Sequence, residues 1–141
     1  MTLELQATPE EVMRAVEALE QFARAQGVPE KIIFGLMLAL EECGSNIVNH
    51  GLRRDALRKF QVTIELTHDT FVIELRDRGP AFDPTKAAER EQPKEEDAPG
   101  GWGIQLVRRN IDEMQYTRVD GENILRLAKR VGGPDHSPSV S

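Results

Sequence analysis

The chain has 141 residues, of which 39% are hydrophobic and 30% charged, and its formal net charge is −6. This length and composition predict one folded domain and exclude a chain disordered throughout; a membrane-spanning chain is excluded because no run of about eighteen apolar residues occurs. The acidic charge without a basic stripe argues against nucleic-acid binding, and the single cysteine, Cys43, excludes a disulfide framework and a cysteine-built zinc site.

The N-terminal region predicts a strand followed by a helix. Residues 1–6 alternate apolar and polar side chains, as a short edge strand does. Thr8 has the position of a helix cap, Pro9 follows where no N–H is needed, and Glu11 is placed to close a capping box. The helical spacing of apolar residues that follows ends at Gly27.

A second helix is predicted from Pro29 to about His50, with Gly51 as its stop. Its apolar residues cover one side of a helical wheel, which predicts a core helix. They are Ile33, Leu36, Met37, Leu40, Cys43, Gly44, Ile47 and Val48.

The rest of the chain predicts two hairpins, separated by a long loop at 77–101 and a third helix at about 103–112. The alternating segments that predict the strands are 60–67, 70–76, 114–119 and 124–131. This order of elements predicts an α+β fold, a two-layer α/β sandwich in which helices cover one face of an antiparallel or mixed sheet. We expect the domain to span 1–131 and residues 132–141 to form a disordered tail.

The second helix carries a polar cluster in addition to its apolar side. Glu42 and Asn46 are four residues apart, so both side chains lie on one face within reach of one ligand, and Asn49 and His50 fall on the same side. An asparagine oxygen suits Mg²⁺, and a neighbouring carboxylate can accept a proton. Taken by itself, the pair is more typical of a solvated helix face.

Two further clusters follow later in the chain. Asp77 and Gly79 stand at the end of a predicted strand, where a carboxylate can accept a hydrogen bond from an adenine amine and a glycine permits close approach to a flat ring. Gly101, Trp102 and Gly103 precede the third helix, where free amides and the helix dipole favour a phosphate. Taken singly, these clusters also fit a β-turn and a flexible hinge.

In this order, the three clusters resemble the N, G1 and G2 boxes of the ATP-binding family shared by gyrase-type ATPases, histidine kinases and MutL. The resemblance covers about residues 10–131 and is greatest to the small bacterial anti-sigma-factor serine kinases. The segments that carry it are LEECGSNIVNHG at 40–51, DRGPAFDP at 77–84 and GWGIQLV at 101–107.

The resemblance implies the Bergerat-type ATP-binding fold and a role for each cluster. Asn46 would hold Mg²⁺ against the phosphates of ATP, Glu42 would be the catalytic base, and Asp77 would bind the adenine amine. Residues 85–99 would form a lid over the nucleotide. The other implied nucleotide-binding positions are Gly79, Phe82, Gly101, Trp102 and Gly103.

The resemblance also implies partners. Kinases of this kind phosphorylate a serine of a small anti-anti-sigma (STAS-type) protein and sequester a sigma factor, and a homodimer is expected as in relatives. An alternative function is a non-catalytic switch module of the same fold that regulates a phosphatase or signalling complex, since fold does not dictate activity. With no secretory signal at its start, we expect a cytoplasmic protein without membrane contact.

Overall fold

Five strands form one antiparallel sheet in the computed structural model, which describes residues 1–53, 55–87 and 101–132. Of Ala87, Gly101 and Trp102, only the backbone is described. The strands lie in the order β1–β2–β3–β5–β4, and each neighbouring pair is antiparallel. They are β1 (Thr2–Gln6), β2 (Lys59–Thr67), β3 (Thr70–Asp77), β4 (Glu113–Val119) and β5 (Glu122–Arg130).

The helices of the described chain are α1 (Pro9–Ala25), α2 (Glu30–Asn46), α3 (Pro84–Ala87) and α4 (Gly101–Asn110). The predicted strand at the start of the chain, both hairpins and the three long helices are confirmed. Two differences are that α4 begins at Gly101 instead of residue 103, and that α2 continues as a π-helical turn, Ile47–Gly51.

The prediction that the segment after Asp77 lacks regular structure is wrong at α3. Asp83 precedes this helix, and its Oδ1 accepts hydrogen bonds from the backbone nitrogen of Thr85 at 2.9 Å and from the Thr85 hydroxyl. This local cap starts the helix. Because the helix has only four residues, it leaves no hydrophobic periodicity in the sequence. Residues 88–100, which include most of the expected lid, and the tail from 133 onward lie outside the described residues.

The core lies between the helices and one face of the sheet. Inward side chains alternate along the strands as the sequence predicts, and residues such as Leu5, Ile64 and Phe71 are fully buried. In the helical layer, α2 contacts both α1 and α4. Cys43 lies in this core, as expected, and burial raises the pKa of its thiol to about 12, so it remains protonated at neutral pH.

Two glycines bring α2 close to its helical neighbours. A Cβ on residue 44 would lie 3.2 Å from Cγ1 of Val12 in α1, and one on residue 35 would lie 2.6 Å from Oδ1 of Asn110 in α4. A Cβ at either position would crowd Val12 or Asn110, whose side chains would have to shift. The sequence therefore places its smallest residue where α2 is in closest contact.

The segment Glu30–Gly51 is long and apolar enough to cross a membrane, judged by length and composition alone. Half of its most apolar window is buried inside the domain. Its apolar residues pack on the sheet and on neighbouring helices, which is the usual reason that a core helix passes this test.

The two ends of α1 show how local sequence defines a helix. Thr8 Oγ1 accepts a hydrogen bond from the Glu11 nitrogen at 3.2 Å, but the expected capping box is incomplete, because Glu11 Oε1 accepts from the Gln6 nitrogen and not from that of Thr8. At the C-terminal end, Gly27 has a φ of 81°, and the nitrogen of Val28 donates back into the last turn. This is the Schellman arrangement that glycine permits.

Replacing Thr8 by alanine should destabilise the protein by about 1 kcal/mol, since the Glu11 nitrogen loses its side-chain acceptor. Urea unfolding monitored by circular dichroism measures this change. Thr8→Ser, which keeps the hydroxyl, is the matched control and should retain most of the stability. Equal losses in the two variants would show that the methyl group of Thr8, and not the cap, is responsible.

Candidate functional site

A pocket opens between the C-terminal end of α2 and the sheet. Its walls are mostly apolar, and the buried polar residues that line it are Asn46, Asp77 and Asn123. The remaining lining residues are Cys43, Ile47, Gly51, Leu75, Pro80, Phe82, Pro84, Tyr116 and Leu125. A largely apolar pocket with a few converging polar groups is the usual form of a small-molecule site.

Asp77 is the buried carboxylate of this pocket. It ends β3 on the inward face, where the alternation of the strand would place an apolar residue. Its Oδ1 accepts hydrogen bonds from the Gly79 nitrogen at 2.8 Å and from Asn123 Nδ2 at 3.1 Å. Both bonds from the described residues end on Oδ1, so Oδ2 is the oxygen left for a ligand.

Position 79 requires a glycine for a packing reason that the sequence did not reveal. A Cβ at this position would lie 2.8 Å from the Gly51 carbonyl oxygen and 3.0 Å from Asp77 Oδ1. The loop after β3 therefore packs directly on the end of the π turn. The predicted approach of Gly79 to a flat ring stays a prediction, but this close backbone contact already excludes any other residue.

Asn46 stands where α2 passes into the π turn. It is 7% exposed and lines the pocket, and its Nδ2 is buried without a hydrogen-bond partner among the described residues. An unsatisfied buried polar group costs about 1–3 kcal/mol, so this nitrogen points to a ligand that completes the site. π turns inside helices frequently mark functional positions.

Glu42 lies one helical turn before Asn46 and faces α4. A Cβ on Gly103 would lie 1.9 Å from the Glu42 carboxyl carbon, so the carboxyl group occupies the space beside the first turn of α4 that a side chain would fill. Two of the predicted clusters thus meet at this contact. The first-turn position of Gly103 also brings the positive end of the helix dipole close to the carboxylate.

The pKa of Glu42 is shifted upward. Burial is the main cause, and the negative charge of Glu41 adds to it. The Asn46 amide and the charge of His50 act in the opposite direction, although the amide nitrogen stays outside hydrogen-bonding geometry. A carboxylate with a raised pKa is a better proton acceptor at neutral pH than an exposed one.

The structure thus brings Asn46, Asp77 and Phe82 to one pocket, and Glu42 to Gly103 beside it. Phe82 is 43% exposed at the pocket rim. The backbone of Gly101 begins α4. The side chain of Trp102 is not among the described parts of the chain, so the predicted contact of Trp102 with the nucleotide remains a prediction.

Sequence reasoning missed three residues that surround Asp77. Asn123 lies directly across from Asp77 in the sheet, and its Oδ1 accepts hydrogen bonds from Tyr116 and Arg118 of β4. A signal was present, because Asn123 precedes Leu125 and Leu127 in the inward alternation of β5. A polar residue at an inward strand position is a reason to look for a buried partner.

Comparison with known proteins agrees with this geometry. The profile of the family described as histidine kinase-like ATPase domain matches residues 5–129. The serine/threonine-protein kinase BtrW of Bordetella bronchiseptica is 31% identical over 128 residues, which cover 89% of this chain and 90% of BtrW. The serine-protein kinase RsbW of Oceanobacillus iheyensis is 26% identical over 129 residues, covering 87% of this chain and 82% of that protein.

Solved structures show the same fold. The RsbU and RsbW domains of Rv1364c from Mycobacterium tuberculosis match 95% of this chain with a TM-score of 0.66 and 18% identity, and the match spans 33% of that longer chain. A chain of the SiaB–SiaC complex from Pseudomonas aeruginosa matches with a TM-score of 0.61 and 13% identity, over 92% of this chain and 88% of that one. The predicted two-layer sandwich is confirmed, and the chain belongs to the histidine kinase-like ATPase domain family.

Proposed function

We propose that this chain is a cytoplasmic, ATP-dependent protein serine kinase. The observation that carries the proposal is the position of the Glu42 carboxyl group, held against Gly103 at the start of α4 and one helical turn from Asn46, whose Nδ2 has no hydrogen-bond partner in the part of the chain that the structure describes. Phosphoryl transfer requires a base that lies close both to a helix N-terminus and to a side chain that can bind a metal ion. The names of the curated relatives, which are serine or serine/threonine kinases, support the same activity.

The residues of the pocket fit a magnesium–nucleotide complex. Asp77 Oδ2 would accept a hydrogen bond from the adenine amine, while apolar side chains such as Leu125 and Ile47 would cover the ring. Asn46 Oδ1 would be the protein ligand of Mg²⁺, and its Nδ2, which is unbonded within the described ranges, would donate to a bound ligand. Mg²⁺ usually keeps several waters and takes few protein ligands, so a single asparagine suffices.

Bound Mg²⁺–ATP supplies the phosphoryl group and neutralises charge during transfer. Glu42 would accept the proton of the attacking serine hydroxyl as the new O–P bond forms and the bond to the leaving ADP breaks. The amides at Gly101 and Gly103 would face the phosphates, and residues 85–99 would cover them. The protein contributes one base, one metal ligand and the positions of both reactants.

The substrate that we propose is a serine of a small anti-anti-sigma (STAS-type) protein, and the second partner is a sigma factor that the kinase sequesters. Support comes from the three boxes and from the RsbW-type relatives. The chain of the SiaB–SiaC complex shares the fold and belongs to a complex of two proteins. A homodimer is part of the same proposal.

Glu42→Gln should leave ATP binding within about threefold of wild type and reduce phosphoryl transfer at least 100-fold, because a general base typically contributes 10²–10⁴-fold. Transfer from labelled ATP to the cognate anti-anti-sigma protein measures the rate, and calorimetry measures binding. Glu41→Gln, on the exposed side of the same helix, is the matched control. Binding of ATP without any transfer by the wild type would favour the alternative, a non-catalytic switch module.

Asp77→Asn should weaken ATP binding by about 10-fold or more, because the amide places a donor where the adenine amine needs an acceptor and a hydrogen bond to a charged group is lost. Asp120→Asn is a suitable control, since Asp120 is exposed in a turn at a φ of 52° that asparagine tolerates well. Equal affinities for ATP in Asp77→Asn and wild type would contradict the adenine assignment.

The stability of the protein should depend on the ionisation of Glu42. Its pKa in the folded protein lies above the ordinary value of 4.5, so the residue's contribution to the free energy of unfolding falls as the pH rises from about 4.5 through the raised pKa. Glu42→Gln removes this loss and should be more stable than wild type at pH 7, with a smaller difference at pH 4. Urea unfolding at the two pH values tests this, and a pH-independent difference would contradict it.

A further inference from the structure

One row of residues crosses three neighbouring strands beside the pocket. Asp77 of β3 lies opposite Asn123 of β5, which lies opposite Arg118 of β4. Directly opposite residues in antiparallel strands share a face of the sheet, so the three side chains are neighbours. They form a hydrogen-bonded chain that runs from the exposed edge strand to the buried carboxylate.

The orientation of the Asn123 amide in this chain follows from its partners. Arg118 Nη1 lies 2.8 Å from Oδ1 of Asn123, and a guanidinium can only donate hydrogen bonds. Oδ1 must therefore face Arg118, and the hydroxyl of Tyr116 donates to the same oxygen. Nδ2 is then turned toward Asp77, and its hydrogen-bond partners there are acceptors.

Nδ2 of Asn123 has three such acceptors within reach. They are Asp77 Oδ1 at 3.1 Å, the Pro80 carbonyl oxygen at 3.0 Å and the Gly79 carbonyl oxygen at 3.3 Å. Arg118 also donates to the Gly79 carbonyl oxygen at 3.1 Å. With both donors and both acceptor positions of the amide used, Asn123 has no group left to contact a nucleotide.

We infer that Asn123, itself oriented by Arg118 and Tyr116, is a positioning residue that makes Asp77 an oriented acceptor and thereby sets a preference for 6-amino over 6-oxo purines. This rests on the proposed binding of ATP at Asp77. Because Oδ1 receives the Asn123 amide and the Gly79 nitrogen, Oδ2 is presented in one direction as an acceptor. An amine at the purine 6-position can donate to it, whereas a 6-oxo group brings an acceptor against an acceptor.

The variant Asn123→Asp tests this inference with little change in shape. It keeps the oxygen that Arg118 and Tyr116 bind, but it replaces the donor toward Asp77 by a second carboxylate oxygen, which repels Oδ1. ATP and ITP, which differ at the purine 6-position, are the two probes for calorimetry. Tyr116→Phe, which loses a single donor to the amide, is the milder variant in case Asn123→Asp unfolds, and thermal melts check the fold of each.

We expect wild type to prefer ATP over ITP and Asn123→Asp to reduce that preference about 10-fold, the factor typical of one hydrogen bond to a charged group. Tyr116→Phe should shift it less in the same direction. Arg126→Ala is the matched control, because Arg126 pairs with Glu113 on the opposite face of the sheet and its loss should leave the preference unchanged.

A second measurement, without nucleotide, reads the position of Asp77 directly. The Gly79 amide donates to Asp77 Oδ1, so its hydrogen exchange should quicken in Asn123→Asp if Asn123 holds that carboxylate. An unchanged ATP-to-ITP preference, or unchanged Gly79 exchange in a folded Asn123→Asp variant, overturns the inference alone. If the wild-type protein binds neither nucleotide, the proposed function is wrong, and the selectivity inferred from it is wrong as well.

Discussion

Close contacts at glycines, where a side chain would have little room, hold the site together. At Gly79 the loop after β3 meets the end of the π turn, and at Gly103 the first turn of α4 meets the Glu42 carboxyl group. Gly44 in turn sets the distance of α2 from α1. Because three separate elements converge on α2 in this way, the positions of Glu42 and Asn46 follow from packing and not from local flexibility.

The same packing divides the pocket into two chemically different ends. The sheet end carries Asp77, whose orientation depends on cross-strand neighbours, and is otherwise walled by apolar side chains. The helix end carries Asn46, and Glu42 lies one turn before it on α2, beside the pocket. An apolar end with one acceptor suits a nucleobase, and a polar end beside a helix N-terminus suits phosphates, so a nucleotide accounts for both.

Much of this architecture was predictable, because it depends on short-range patterns. Strand alternation and helix caps such as Thr8 and Gly27 depend on neighbours a few residues away. The errors have local causes as well. Helix α3 was missed because it is too short to show a hydrophobic period. The expected capping box is incomplete because the Thr8 nitrogen already donates to the Gln6 carbonyl oxygen, and Glu11 accepts from the Gln6 nitrogen instead. The candidate site residues could be proposed because their three clusters follow one another in a specific order, although each is ambiguous alone.

The sequence by itself determined the elements, the inward faces of the strands and the identity of the three polar clusters. Only the tertiary structure decided which side chains complete them. Asn123 lies 46 positions along the chain from Asp77, and Arg118 lies 39 positions from Gly79, so only strand register places these partners together. The meeting of Glu42 with Gly103 likewise depends on how α4 docks on α2. Such contacts have no sequence period, because they join residues whose neighbours in space are distant in the chain.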